Sequence, residues 1–323
     1  MEEPRRRPSI LVSFARIVIA IAGLAALAWT IQDAGAERIL AILPAAAAWI
    51  PLAILLEAVR VGFDALSTRL VLAERGREIP FRALYFAQLA AQGVMGVSPA
   101  GRSASEIVKA TLLSAWIRPQ VAAAMGYTNQ ANVLISAGLF SLLCLAGILA
   151  TSPDSTLAYA TLIHFAVLVV SGVGMRVAST NPDVERLLAR RFPRLAEKAR
   201  LFHEASRDTP LIAPAPVLAM FAGRAVQTLQ FAVLAHAVGI DVGVGGALAV
   251  QGVNLVAAAT GVFVPSQVGT AELVFRLSAE ALHTTPAIAV SLALLARVPQ
   301  LTFIAIGLLV LLLWRSRRRV GTA

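Results

Sequence analysis

The chain has 323 residues, of which 58% are hydrophobic and 14% charged, and its mean hydropathy is +0.76. Soluble domains carry roughly 25% charged residues, so this composition excludes an ordinary soluble fold and implies an integral membrane protein. The formal net charge is +10, with arginine far outnumbering lysine and gathered at the termini and in a few loops. In so apolar a chain that excess reads as positive-inside bias and attraction to anionic inner-leaflet lipids, not as a nucleic-acid footprint.

In chain order, the basic start "PRRRPS" precedes an apolar stretch at about 10–31. That stretch is long enough to be a retained spanning helix rather than a cleaved signal. Arg16 within it is expected to snorkel toward the interface. A second span is expected at 44–73, where Glu57, Arg60 and Asp64 stand at i, i+3 and i+7 on one helical face. Ion pairing between helices and a functional role both account for these charges. Further spans are expected at 127–150, which holds the single cysteine, Cys144, as a packing residue, and at 156–177. The polar connector at about 178–210 could form an interfacial helix capped by Asn181 or Asp183, with Val184, Leu187, Leu188, Leu195, Leu201 and Phe202 on its apolar face, or be a solvated linker. The last two spans are expected at 211–239, with Arg224, Gln227 and Gln230 at every third position, and at 285–314, with Arg297 and Gln300 beside Pro299.

Two apolar stretches, at about 82–118 and 244–283, are broken by "SPAGRSASE" and "VPSQVGTAE". In both, a proline precedes a glutamate by seven positions: Pro99 and Glu106, then Pro265 and Glu272. Pro99, Gly101, Pro265 and Gly269 are the expected helix breaks, and a matched pair of broken segments points to discontinuous or re-entrant helices. A new helix is expected after each break, with Ser103 or Gly269 as N-cap and the glutamate at the third helical position as a capping-box partner. Capping and a binding role for Glu106 and Glu272 are compatible. Lys109 and Arg276 follow those glutamates by three and four residues, which would put an acid–base pair on one face of each hairpin. With Arg102 at a helix start, such tips would suit a phosphate-bearing lipid head, a sugar or a soluble anion.

Charge bias predicts that both termini and the connector are cytoplasmic. Six full helices plus two hairpins satisfy it, and span–hairpin–span then occurs twice, at about 44–150 and 211–314, in opposite orientation. A count in which each hairpin is two true spans fits the charges as well. The expected fold is thus an all-α polytopic membrane protein, one membrane domain over 1–323, with an inverted repeat. The four histidines are scattered, and no nucleophile elbow, P-loop, dinucleotide fingerprint or Cys/His cluster occurs; no enzyme chemistry, metal or cofactor is therefore expected.

"SPAGRSASEIVKATLL" resembles the Pro-x-Gly-Arg-…-Glu-x-x-Lys signature of the lysylphosphatidylglycerol synthase transmembrane-region family, whose members are also described as flippase-like. "VPSQVGTAELVF" followed by "AVSLALLARVPQL" resembles its second signature. The resemblance implies a bacterial inner-membrane protein that moves a lipid between leaflets. The chain has no room for the soluble aminoacyl-transferase domain, so synthase activity is not implied. It departs from the pattern at Ala104-Ser105 and Ser266-Gln267-Val268, which bears on the substrate. The expectation is a flippase for an anionic or amphiphilic lipid, bound by Arg102, Glu106, Lys109, Glu272, Arg276, Arg224 and Arg297. The alternatives are an ion- or proton-coupled transporter of a small solute, and a non-transporting partner of a lipid-modifying enzyme. A homo-oligomer fits either.

Overall fold

The computed structural model describes the backbone of residues 10–98, 101–192, 196–207, 213–262 and 264–320, and side chains there except at 10–20, 102, 188–189, 198–199, 205, 207, 265 and 315–320. All regular structure among the described residues is helical. The Arg16 side chain, Pro99, the Arg102 side chain, the ring of Pro265, the Leu188 side chain and Leu195 lie outside the described residues, so the expectations attached to them are not tested.

Helix α1 (Ile10–Ala34) turns at Gly35, whose φ of 95° suits a residue without Cβ, into α2 (Ala36–Ala46). A 3-10 turn at Ala47–Trp49, just after Pro44, leads into α3 (Ile50–Val71), so the second expected span is a bent pair of helices. The short α4 (Glu74–Glu78) joins it to α5 (Phe81–Val97) and α6 (Gly101–Leu113), the arms of the first broken segment. Two long helices follow, α7 (Pro119–Thr151) and α8 (Thr156–Thr180). The connector is helical rather than a plain linker: Asn181 Oδ1 accepts from the Asp183 amide at 2.8 Å and starts α9 (Pro182–Arg191), and α10 (Ala196–Arg207) follows. Phe202 of α10 meets Tyr127 of α7 edge to face at 5.6 Å, so the connector docks on the bundle. The second half comprises α11 (Pro214–Ala237), α12 (Val244–Thr260), a 3-10 turn at Pro265–Gln267, α13 (Thr270–Leu277) and α14 (Pro286–Val320).

Among the described residues, five helices are long and apolar enough to cross a membrane: Ala36–Val71 taken through its bend, Pro119–Thr151, Thr156–Thr180, Pro214–Ala237 and Pro286–Trp314. The distribution of side chains agrees. On α8, Tyr159, Ile163, Val167 and Val170 are exposed while Thr161, His164 and Arg176 are buried. In water this helix would be inside out; against lipid it is correctly turned.

In the main packing, α3 lies against α11, α5 against α14, and α7 against both α8 and α12. Small residues let these backbones approach, as is common in membranes. At the α5–α14 crossing Gly93 faces Gly307, with no room for a Cβ on either. At the α7–α12 crossing Gly252 sits over Cys144 and Ile148, and Cys144 is fully buried against Phe140 and Leu255 as a packing residue.

Candidate functional site: a polar cleft among five helices

The first hairpin does not cap itself as the sequence pattern predicts. Helix α6 already begins at Gly101, so Ser103 lies inside its first turn and is not the N-cap. Glu106 is consequently displaced toward α7 and turns away from the helix start. Its Oε1 accepts from Lys109 Nζ at 2.8 Å and from Asn129 Nδ2 of α7 at 3.1 Å. Lys109 is 1% exposed, and Gln88 Oε1 of α5 accepts from it at 3.2 Å. An ammonium at that depth persists because a carboxylate and an amide oxygen both face it.

On α3 the i, i+3, i+7 spacing produces a ladder. The Arg60 guanidinium donates to Glu57 through Nε (3.0 Å) and Nη2 (2.6 Å), and to Asp64 through Nη1 at 2.9 Å. Gln92 of α5 accepts from Arg60 at 3.1 Å and donates to Glu57 at 3.0 Å. Gln230 of α11 donates to the Ala53 carbonyl at 2.8 Å and reaches Glu57 at 3.4 Å. The ion pairs lie within α3, and the uncharged amides carry the network across to its neighbours. Arg224 of α11 donates to Gln227 at 2.8 Å, and Gln251 of α12 donates to Gln227 at 3.1 Å.

These groups surround a narrow cleft with an open mouth. Helix α3 contributes Arg60 and Asp64, and α5 contributes Gln88 and Gln92. Helices α6 and α7 add Ser105, Glu106, Asn129 and Ser136, and α11 adds Arg224. Met95, Val133 and Met220 form its apolar patches. Among the described residues the charged lining thus has two arginines and two carboxylates, which balance.

The second hairpin makes a different structure. Glu272 occupies the third position of α13, and its Oε2 accepts from the Gly269 amide at 2.9 Å, as the spacing predicts. Arg297 of α14 pairs with Glu272 through Nε and, at 2.9 Å, through Nη2. The same guanidinium donates to the carbonyls of Ser266 (2.6 Å) and Gln267 (2.9 Å). Those two residues have φ of 50° and 57°, which non-glycine residues seldom adopt. Arg297 therefore holds the tip shut over a glutamate that is 0% exposed. The Ser266 hydroxyl donates to the Gly96 carbonyl at 2.7 Å, so the turn after α12 touches the end of α5.

Arg276 does not pair with Glu272, although it follows by one turn. It points to α1, where it pairs with Asp33 and lies 4.8 Å over the Trp29 ring. The expected binding residues are thus divided. Glu106 and Arg224 line the cleft, Lys109 backs it through Glu106, and Glu272 with Arg297 locks the second tip. Arg276 fastens α1. Gln88, Gln92, Ser105, Asn129 and Ser136 complete the polar lining; of these the sequence reading noted only Ser105, as a departure from the family pattern. The available signal was Asn129 and Ser136, seven residues apart in an otherwise apolar run.

The family model described as "Lysylphosphatidylglycerol synthase TM region" matches residues 13–309. The chain belongs to that family and is a multi-pass membrane protein. No curated protein and no solved structure matches it.

Proposed function

We propose that this member of the lysylphosphatidylglycerol synthase transmembrane-region family moves an amphiphilic lipid between the leaflets of a bacterial inner membrane. The polar head travels through the cleft while the acyl chains stay in the bilayer, and the chain performs no covalent chemistry on its cargo. The observation that carries this reading is the cleft itself. It is a charged and amide-lined space, with contributions from α3, α5, α6, α7 and α11, inside a bundle whose outer surface is apolar. Ionisable groups at such depth are costly and mark substrate paths.

Alternating access needs two opposed halves, and the helix pairing supports them. Exchanging α3 with α11, α5 with α12, and α7 with α14 carries the α5–α14 contact into the α12–α7 contact and leaves α3–α11 unchanged. That two-fold pairing supports a repeat, and with the charge bias it supports an inverted one whose halves meet at the site. Helices α6 and α13, with 13 and 8 residues, reach only about 20 and 12 Å at 1.5 Å per residue. A hydrocarbon core is about 30 Å thick, so the broken segments fit re-entrant hairpins beside six full spans, with both termini and the connector α9–α10 cytoplasmic. In that frame the basic loops rest on anionic inner-leaflet lipids.

Lipid retained by gently extracted protein and identified by mass spectrometry tests this reading. Wild type should hold a defined lipid enriched over the bulk membrane, and Arg224→Ala should lose it. Wild type whose lipid matches the bulk composition would contradict it.

A further inference from the structure

Three oxygens on residues lining the cleft lack a hydrogen-bond partner among the described residues: Glu106 Oε2, Asn129 Oδ1 and Ser136 Oγ. Asn129 is 3% exposed and Ser136 is 1% exposed. Between them on α7 stands Asn132, 0% exposed, with both Nδ2 and Oδ1 unpaired. Asn129, Asn132 and Ser136 are at i, i+3 and i+7 and so share one face of the helix. Farther along α7, Ser141 donates to the Ala137 carbonyl at 2.8 Å and meets His164 at 2.9 Å; outside the lining, Gln130 Oε1 on the same helix is also unpaired among the described residues. Leaving buried polar atoms unpaired costs as much as losing a hydrogen bond, and more in a membrane. A face that carries several of them beside a cavity is built for something that supplies the missing bonds.

The chemistry of that occupant follows from the atoms. Carboxylate and amide oxygens only accept, and a hydroxyl does both, so the occupant must donate. A phosphate alone cannot meet this need. Ammonium groups and hydroxyls can, but among the described lining residues two arginines match the two carboxylates and leave no surplus negative charge for a cation. Glu106 also already faces Lys109. Hydroxyls both donate and accept, which matches the neighbouring amides of Gln88, Gln92 and Asn129 as well as Ser136.

We infer that the cleft binds an uncharged, hydroxyl-rich head, a sugar or polyol, whose hydroxyls donate to Glu106 Oε2, Asn129 Oδ1 and Ser136 Oγ. That the head belongs to a lipid rests on the translocase reading above; the recognition of hydroxyls does not.

The test uses the full chain in phosphatidylcholine nanodiscs, with thermal unfolding as the readout. The added probes are glucosyl-diacylglycerol, diacylglycerol, phosphatidylethanolamine and free methyl glucoside. Glucosyl-diacylglycerol should raise the unfolding temperature, while diacylglycerol and phosphatidylethanolamine should not. Ser136→Ala removes an unpartnered hydroxyl, so the unliganded variant should be at least as stable as wild type. It should nonetheless bind the glucosyl lipid about tenfold more weakly, the equivalent of one lost hydrogen bond. Stabilisation by phosphatidylethanolamine equal to that by the glucosyl lipid would overturn the inference. So would Ser136→Ala binding as tightly as wild type, or no stabilisation by any probe. Methyl glucoside acting as strongly as the lipid would support hydroxyl recognition and remove the lipid reading. Binding of the glucosyl lipid without any movement of it in proteoliposomes would likewise keep this inference and overturn translocation alone.

Discussion

Replacing Arg297 with methionine keeps most of the side-chain volume and removes the guanidinium that closes the second hairpin. Three things then lose their partner: the Glu272 carboxylate, which is 0% exposed, and the carbonyls of Ser266 and Gln267. The Gly269 amide still donates to Glu272, so the carboxylate is left with one hydrogen bond in place of its ion pair. Stranding one member of a buried pair costs about 3–5 kcal/mol, and each carbonyl without its donor adds about 1 kcal/mol. Arg297→Met should therefore destabilise the protein by about 5 kcal/mol or more. Unfolding in mixed micelles, driven by an increasing fraction of denaturing detergent and followed by tryptophan emission, measures this. The double variant Glu272→Leu, Arg297→Met removes the whole pair, which apolar replacement often tolerates, and should recover part of the loss. An Arg297→Met protein within about 1 kcal/mol of wild type, or two substitutions that simply add, would refute the lock.

Gly269→Ala should cost about 1–3 kcal/mol from backbone strain at φ 82°, and more because a Cβ there meets the backbone of α1 at Gly23; the same titration reads it. Phe202→Ala removes the ring that meets Tyr127 and should lower stability by about 0.5–1.5 kcal/mol for the ring pair, plus the apolar area it buries, with hydrogen exchange speeding up in 196–207 and not in α7. The Arg200 guanidinium, by hydrogen bond and charge, holds the Glu197 carboxyl below its ordinary range. Because this folded-state value is depressed, the contribution exists above the unfolded value and is lost as pH falls through the folded one. Protection of α10 should therefore be flat near neutral pH and decline only on strong acidification, and by little, since the pair is exposed.

What was legible in the sequence depended on whether partners were local. Five of the expected spanning segments, the division of 244–283 into α12 and α13, and the Glu57–Arg60–Asp64 face were readable, because hydrophobic run length and helical spacing are properties of one segment. The Glu272 cap was readable for the same reason: its partner, the Gly269 amide, is three residues away. Glu106 has the same spacing from its proline yet serves another purpose, because α6 begins two residues before Ser103; its pair with Lys109, three residues on, was readable, while its second partner, Asn129, lies 23 residues on in α7 and was not. Arg276 was misread alike: Glu272 is one turn away, but Asp33 and Trp29 of α1 claim the guanidinium. The lining amides and hydroxyls were missed because uncharged polar residues hardly disturb an apolar run. Only the packing of several helices gathers them around one space.

The central claim is that the cleft carries a lipid head across the bilayer. In proteoliposomes holding glucosyl-diacylglycerol labelled on its acyl chain, dithionite bleaches only the label in the outer leaflet. Wild type should let bleaching continue beyond the outer-leaflet share. Arg224→Gln, once its unfolding temperature shows that it is folded, should stop at that share, as protein-free liposomes do. Wild type indistinguishable from empty liposomes, or Arg224→Gln as fast as wild type, would contradict the account.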